Sequence, residues 1–394
     1  MSTTLIFRPV LGFFFLLASF CASSLDLSKV DYSYLYKDTN VNFKYQVAER
    51  EGTYRLHINM ELRKVGANDD IKNFEITSQK KFTTKKGSPV EMLTNYKSGN
   101  GNIVTYDITL KPSVADDQYL VVFFKFLTQP YVIDIPIGDA VGYSYPAFII
   151  KNPASPVGII KQEDSLVFES IGRGNEYIGQ LFEDKFKTAT PPFSEQKLEE
   201  QRFEASRKDK ASYHYKVLDK NYSFYFQSEN SDKAGASFYS QRSYFPKSKE
   251  HSELIGPLKY ISTQQEFEKL EKARNKQLAF DNFWLAMIPS NKLAARTLRN
   301  YYARVNRATE LFSDYKAGWK TDRGMIFTIY GIPDDVHKQE GSEIWTYDTY
   351  NGRLTFSFAK VPNEITGFTY VLERNKKYSN VWYGQLDKWR KGDT

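Results

Sequence analysis

Period-two alternation of apolar and polar residues is the first pattern along the chain. It is clearest over residues 54–62, YRLHINMEL, and residues 104–110, VTYDITL. A single apolar face of this kind is typical of half-buried antiparallel strands. Residues 118–127, QYLVVFFKFL, are more continuously apolar and fit a central strand. About seven such segments within residues 25–140 predict a β-sandwich, with His57 on its polar outer face.

A second β-rich unit is predicted over residues 141–256. Pro191 and Pro192, followed by a run of charged residues, predict a loop or a short charged helix over residues 186–207. The strand candidates of this unit are residues 145–150, 165–170, 211–218 and 221–227.

In residues 257–394 the apolar residues first recur with the period of an α-helix. Thr263 and Glu266 have the spacing of a capping box, and apolar residues from Phe267 to Trp284 return to one side of a helix. A second amphipathic helix is predicted from about residue 292 to residue 314. Its basic stripe is either a solvated surface or a docking face, and consists of Lys292, Arg296, Arg299 and Arg307.

The chain then returns to strands. Asn351-Gly352 predicts a hairpin turn, because both central residues of such a turn need positive φ. That turn would place Trp345 opposite Phe358 and Tyr347 opposite Phe356, with the rings on one face. The expected elements are strands at residues 325–330, 343–350, 353–361 and 367–373 and a Trp-rich tail at 381–389.

The predicted fold is therefore mainly β with an α+β carboxy-terminal domain. Two tandem β-sandwich-like domains precede two amphipathic helices and a small antiparallel sheet. The expected divisions are a signal peptide at residues 1–24 and domains at residues 25–140, 141–256 and 257–394.

The amino terminus has the composition of an export signal. Arg8 is the only charged residue before Asp26, and an apolar run, VLGFFFLLASFCA, follows it. This run suits a secretory signal and is too short to span a bilayer. Cys21 is either a lipidated cysteine or part of a signal that is removed. Ala18 and Phe20 stand where a lipobox needs a large aliphatic residue and a small one.

Composition narrows the possible chemistry. The one Cys excludes a disulfide framework and a Cys-ligated zinc site, and the four His residues are scattered. Residues 257–394 carry 22 Lys and Arg against 16 Asp and Glu, a net +6 of the total +7. This asymmetry indicates an anionic partner, such as a membrane surface, an anionic glycan or an acidic protein, or else a solvated basic face. An exported protein is not expected to bind nucleic acid.

Residues 318–324, GWKTDRG, form the most distinctive segment. Gly318 is expected to end a helix in the left-handed conformation, and Trp319 to bury its ring. Thr321 and Asp322 are suited to accept backbone N–H groups in a tight turn, and Gly324 to ease the entry to a strand.

A turn, YGIPD, follows at residues 330–334. Gly331 and Pro333 are expected to shape it after Tyr330, with Asp334 as its last residue. Arg323 is a candidate ion-pair partner or contact point beside the motif.

This constellation resembles the GWxTD-domain family, which is named for the motif. The likeness extends upstream to Phe283-Trp284, to residues 301–305, YYARV, and to Phe312, and covers about residues 258–358. It implies an exported, often lipid-anchored envelope protein, periplasmic or associated with the outer membrane. It also implies β-sandwich domains before the motif domain, and it supplies no reaction.

No catalytic residue, metal ligand or cofactor is predicted. The chain shows no nucleophile elbow, P-loop, HExxH or dinucleotide fingerprint in a suitable context. Asp322 with Asp334 or Asp335 could form an acid–base couple or a calcium site. Roles as a turn cap and a turn residue are the simpler interpretation of Asp322 and Asp334.

Two functions remain open. The first is a non-enzymatic envelope protein that acts as a scaffold or a partner-binding subunit. The second is a glycan-binding or glycan-processing exported protein that uses the aromatic and basic surface of the carboxy-terminal domain. Burial of Trp319, Trp345 and Trp382 would favour the first, and a row of exposed rings the second.

Overall fold

A computed structural model describes most of the chain after residue 24. Cys21 and the whole predicted signal peptide lie outside the described residues, as does Asn351 of the predicted hairpin turn. The described ranges are residues 25–37, 40–63, 71–85, 87–114, 116–138, 144–155, 159–171, 176–195, 203–228, 234–248, 250–350 and 352–393.

The alternating segments of the first unit form an antiparallel sheet that folds over on itself. Its strands are β1 Val41–Arg50, β2 Thr53–Leu62, β3 Ile71–Gln79, β4 Ser88–Asn100, β5 Ile103–Pro112, β6 Tyr119–Phe126 and β7 Gln129–Pro136. The strand order is β1-β2-β5-β4-β3-β6-β7. β4 pairs with β5 along most of its length and with β3 only at Ser88 and Pro89. The two halves face each other, and Phe74 stacks on Tyr106 with ring centroids 4.1 Å apart.

The second unit has two sheets around its own core. Its strands are β8 Phe148–Lys151, β9 Ile160–Lys161, β10 Ser165–Ser170, β11 Tyr177–Glu183, β12 Arg207–Ala211, β13 His214–Lys216, β14 Tyr222–Ser228 and β15 Gly235–Gln241. The sheet orders are β13-β10-β8 and β12-β11-β14-β15-β9. Phe168 of one sheet packs edge-on against Phe226 of the other, with centroids 5.0 Å apart.

Six α-helices follow among the described residues: α1 His251–Ile255, α2 Gln264–Lys272, α3 Lys276–Met287, α4 Asn291–Phe312, α5 Asp322–Tyr330 and α6 Ser379–Lys391. The capping box of Thr263 and Glu266 is present. The first predicted helix is in fact two, because Ala273 is extended and Asn275 caps α3 anew. α4 agrees with the predicted second helix.

The predicted strand at residues 325–330 is wrong, because these residues belong to α5. Residues 324–329 are all buried, so this part of the short helix has no solvent-exposed face. A fully buried apolar run cannot be assigned to a strand or a helix by periodicity alone. The Trp-rich tail is also helical and forms most of α6.

The small carboxy-terminal sheet is antiparallel, as predicted, in the order β16-β17-β18-β19. Its strands are β16 Asp335–Gln339, β17 Ser342–Thr349, β18 Gly352–Asn363 and β19 Gly367–Leu372. Trp345 pairs with Phe356 and Tyr347 with Leu354, so the register differs by two residues from the predicted one. A shift of two keeps every side chain on its face, and the aromatic face is as predicted.

The amino-terminal segment, residues 25–37, binds the first and last units together. Tyr34 donates a hydrogen bond to the Val132 carbonyl of β7, and Tyr36 donates one to Glu343 of β17. One continuous core cluster runs from the first sandwich into the helices and the carboxy-terminal sheet. Within the described residues, no helix is both long enough and apolar enough to cross a membrane.

Candidate functional site

The GWxTD segment begins with a close approach of two backbones. Gly318 opens a 3-10 turn, Gly318–Lys320, and its φ is not positive, so the expected left-handed helix end is wrong. A Cβ at Gly318 would overlap the Ala308 carbonyl oxygen of α4. The position therefore requires glycine for space.

Thr321 and Gly324 build the start of α5. The Thr321 hydroxyl accepts a hydrogen bond from the Gly324 amide at 3.0 Å and donates one to the Gly318 carbonyl at 2.7 Å. Thr321 is thus the N-cap of α5. Gly324 lies inside a helix and not at a strand entry, and a Cβ there would overlap the Gly318 carbonyl.

Asp322 fixes α5 to the end of β19. Its carboxylate accepts the Leu372 amide at 2.8 Å and pairs with Arg374 at 2.5 Å. Both side chains are almost fully buried. Arg374 also donates to the Thr190 carbonyl at 3.0 Å, so this pair reaches the segment after β11.

Lys320 joins the motif to the second sandwich. Its ammonium lies 2.9 Å from the carboxylate of Asp184, whose side chain is 2% exposed. The same carboxylate accepts the Ala317 amide at 3.0 Å and the Tyr239 hydroxyl at 2.7 Å. Nothing in the sequence around Asp184 marks it as a partner of a residue 136 positions away.

Arg323 lies against Glu343 and an aromatic ring. Its guanidinium is 3.9 Å from the Tyr370 ring centroid and 3.6 Å from the Glu343 carboxylate. Glu343 is 1% exposed and accepts hydrogen bonds of 2.6 Å from Tyr36 and from the Trp345 indole. The sequence indicated Arg323 but neither Glu343 nor Tyr36.

The YGIPD turn closes α5. Gly331 has φ +88°, which favours glycine, and its carbonyl accepts the Tyr347 hydroxyl at 3.0 Å. Pro333 is buried, whereas Asp334 is exposed. The Asp334 carboxylate accepts a hydrogen bond from the Asp348 amide at 2.7 Å. The Tyr330 ring packs against Tyr347, Phe356 and Trp382.

Burial of Trp319, Trp345 and Trp382 was expected to distinguish the two candidate functions, and these rings are not equally buried. Trp345 and Trp382 are 0% and 1% exposed, whereas Trp319 is half-buried. The Trp319 ring lies edge-on to Tyr260, and its carbonyl accepts the Tyr260 hydroxyl at 2.8 Å. These three rings form no exposed row.

The four residues of the basic stripe on α4 differ in their exposure and in their hydrogen-bond partners. Lys292 and Arg299 are exposed, and Arg296 donates to the Gly392 carbonyl at 3.1 Å. Arg307 is half-buried and pairs with Glu310 at 3.1 Å.

His57 is buried, with an exposure of 5%, so the expected surface position is wrong. The second sandwich covers this face of the first one. His57 Nδ1 lies 2.8 Å from Asp107, and Lys151 of β8 lies 3.2 Å from the same carboxylate. Burial by itself would raise the pKa of Asp107, but the contacts with His57 and Lys151 lower it to about 2.

Among the described residues, two large clefts are found where the units meet. The larger, about 830 Å³, is lined by His57, by the strand β1 and by residues 363–367 between β18 and β19. The smaller, about 640 Å³, lies between β1 and the helices α4 and α5. Within the described ranges no group of three or more His, Cys, Asp and Glu residues could hold a metal ion.

The comparison with known families agrees with the motif geometry. Residues 222–391 match the GWxTD domain. The matched region begins at the first residue of β14 and ends at the last residue of α6. A comparison with curated proteins gave no match. The chain therefore carries a GWxTD domain over residues 222–391.

Proposed function

We propose that this protein is a non-enzymatic subunit of a cell-envelope assembly, in which it acts as a scaffold or binds a protein partner. We further propose that residues 1–24 export it to the periplasm or the outer membrane. Cys21 remains a candidate lipid-attachment residue in this proposal.

The proposal rests on how the motif uses its polar side chains. Thr321 caps α5, Asp322 is held by Arg374, and Lys320 is held by Asp184. Each of these three polar groups is engaged inside the protein. The motif therefore joins the second sandwich, α4 and the carboxy-terminal sheet, which suits a rigid platform better than a reactive centre.

The alternative is a glycan-binding or glycan-processing exported protein. Burial of Trp345 and Trp382 counts against a stacking platform built from these rings. The basic and aromatic lining of the smaller cleft is the observation that still favours an anionic ligand.

Partner binding can be tested with charge reversal on α4. We expect a tagged chromosomal copy to co-purify with a stoichiometric envelope protein after crosslinking in native membranes. The double variant Lys292→Glu/Arg299→Glu changes two exposed residues of α4 and should lose that protein if the basic stripe is the docking face.

The matched control is Lys269→Glu/Arg274→Glu, which reverses two exposed charges near α2. It should keep the partner, and both variants should melt like the wild type. Recovery of the monomer alone from native membranes would refute the adaptor proposal. Loss of the partner in the control as well would show that overall charge, and not the stripe, mediates binding.

A further inference from the structure

The smaller cleft carries an excess of positive charge. It lies between β1 of the first sandwich and α4, α5 and β19 of the GWxTD domain. Among the described residues, six basic side chains and two acidic ones line it. We call it the cationic cleft; its basic residues are Lys37, Lys44, Arg63, Arg307, Arg323 and Lys338, and its acidic residues are Glu61 and Glu343.

Arg307, Lys338 and Arg323 have carboxylate partners among the described residues. The pairs are Arg307 with Glu310 at 3.1 Å, Lys338 with Asp134 at 2.6 Å and Arg323 with Glu343 at 3.6 Å. Lys44 differs, since no carboxylate in the described part of the chain forms an ion pair with it. Its ammonium lies 3.4 Å from the Glu310 carbonyl oxygen.

The surroundings of Lys44 disfavour its charge. Burial and the neighbouring guanidinium groups of Arg307 and Arg323 lower its pKa to about 8, although Glu310 acts in the opposite direction. A cation held among cations is a cost to the folded state that a bound anion would remove. Such a residue, facing a cleft, is more typical of a binding site than of a structural contact.

The cleft also has aromatic walls. Tyr370 lies under the Arg323 guanidinium, and Phe43 and Phe368 line the same space. Tyr45, which is 38% exposed, stands at its edge. Aromatic faces beside cations suit a ligand that carries an apolar or ring-shaped body behind its charged group.

We propose that the cationic cleft binds a phosphoryl group, held by Lys44 and by the guanidinium fork of Arg307. The planar fork matches two phosphate oxygens, and the lysine supplies a point charge. Arg307 pairs with Glu310 within one helix, where the two side chains are 30% and 26% exposed, so its guanidinium can exchange that partner for phosphate. Arg323 lies on the Tyr370 ring beside Glu343, which is 1% exposed, so it forms the wall and not the primary ligand. This inference is independent of the proposed protein partner.

Calorimetry with three probes tests the proposal and identifies the source of the phosphoryl group. The probes are inorganic phosphate, glucose 6-phosphate and vesicles of phosphatidic acid in phosphatidylcholine, with pure phosphatidylcholine vesicles as the blank. Saturable binding of any probe supports the site, and the tightest probe identifies a free, sugar-linked or lipid-linked phosphate. Absence of binding by all three would overturn the proposal.

Variants locate the binding to the cleft. Lys44→Met and Arg307→Ala should each weaken binding by about tenfold or more, and Lys44→Arg should largely restore it. Arg299→Ala is the matched control, because Arg299 lies on the same helix and is exposed. Equal loss in Arg299→Ala and Arg307→Ala, or unchanged binding in Lys44→Met, would refute the site.

Proton uptake gives a second readout. The charged groups that face Lys44 are Arg307 and Glu310 from α4 and Arg323 from α5. At pH 8 the bound anion should draw a proton onto Lys44, so the binding enthalpy should differ between buffers of different ionisation enthalpy. Lys44→Met should abolish that difference, and a wild-type enthalpy that is independent of buffer would contradict the role of Lys44.

Discussion

Asp322 and Arg374 form an ion pair at 2.5 Å with side chains only 11% and 6% exposed. The pair joins the motif helix α5 to the chain just beyond β19. A buried charge that loses its partner is costly, because the remaining group stays desolvated without compensation. The acidic residue that gives the motif its final letter is therefore a structural anchor of the domain.

Asp322→Asn should lower the free energy of unfolding by about 3–5 kcal/mol, because it leaves the Arg374 guanidinium buried without a counter-charge. Chemical denaturation measures this loss. Asp348→Asn is the matched control, since its pair with Arg353 is exposed on both sides and should contribute less than about 1 kcal/mol. Equal effects of the two variants would contradict the anchoring role.

Gly324→Ala should destabilise the domain by at least about 2–3 kcal/mol, because the new methyl group would overlap the Gly318 carbonyl. Gly384→Ala in α6 provides the comparison, since nothing lies within 4 Å of the added Cβ. That change should stabilise the protein by about 0.5–1 kcal/mol through helix propensity. Thermal melting of both variants should give shifts of opposite sign.

Trp345→Ala should cost about 3–5 kcal/mol, because the ring is fully buried and its removal leaves a cavity. Trp319→Ala should cost less, since that ring is half-buried. Urea unfolding of the two variants tests the order. A larger loss at Trp319 would mean that the ring acts through contacts other than packing.

Asp107→Asn should reduce the acid sensitivity of the protein. The pKa of Asp107 is lowered from 3.8 to about 2 in the folded state, so the unfolded chain takes up this proton first as the pH falls. The stabilisation is complete above about pH 4 and is lost towards pH 2. The stability difference between wild type and variant should therefore shrink across that window.

Asp116→Asn is the control for this pH profile, because Asp116 is 72% exposed in its pair with Lys80. Its stability should stay parallel to that of the wild type from pH 5 to pH 2. A profile of Asp107→Asn that is also parallel would contradict a strongly bound Asp107 carboxylate.

Lys44→Met should not destabilise the protein at neutral pH and should raise its melting temperature. The pKa of Lys44 falls from 10.5 to about 8 on folding, so the folded state binds this proton more weakly than the unfolded state. Wild-type stability should consequently rise between about pH 8 and pH 10.5, and the variant should lack that rise. Lys269→Met, at an exposed position, should leave the rise intact.

Secondary structure was predicted best for the elements that have one face in solvent and the other in the core. β2 and β5 alternate with period two, and α4 has a polar side, so their patterns defined them. α5 is buried all round and was mistaken for a strand. His57 shows a related limit, because the outer face of one domain becomes an interior when a second domain covers it.

Partners of the motif residues could not be predicted for a different reason. Asp184, Glu343 and Arg374 are ordinary charged residues in local sequence. Their importance arises from the packing of the sandwiches on the carboxy-terminal sheet. Local propensity carries no information about pairings such as Lys320 with Asp184, 136 positions apart.

The hydrogen bond between Tyr36 and Glu343 spans 307 positions, which bears on how the protein is made. During synthesis the tyrosine-rich segment before β1 emerges early, whereas its acceptor on β17 is added near the end. Tyr36 must wait without this acceptor until almost the whole chain has been translated, although Tyr34 of the same segment can already bind Val132 of β7. A truncated product lacking β17 would leave Tyr36 without this acceptor, so the amino-terminal segment could not be completed before the carboxy-terminal sheet.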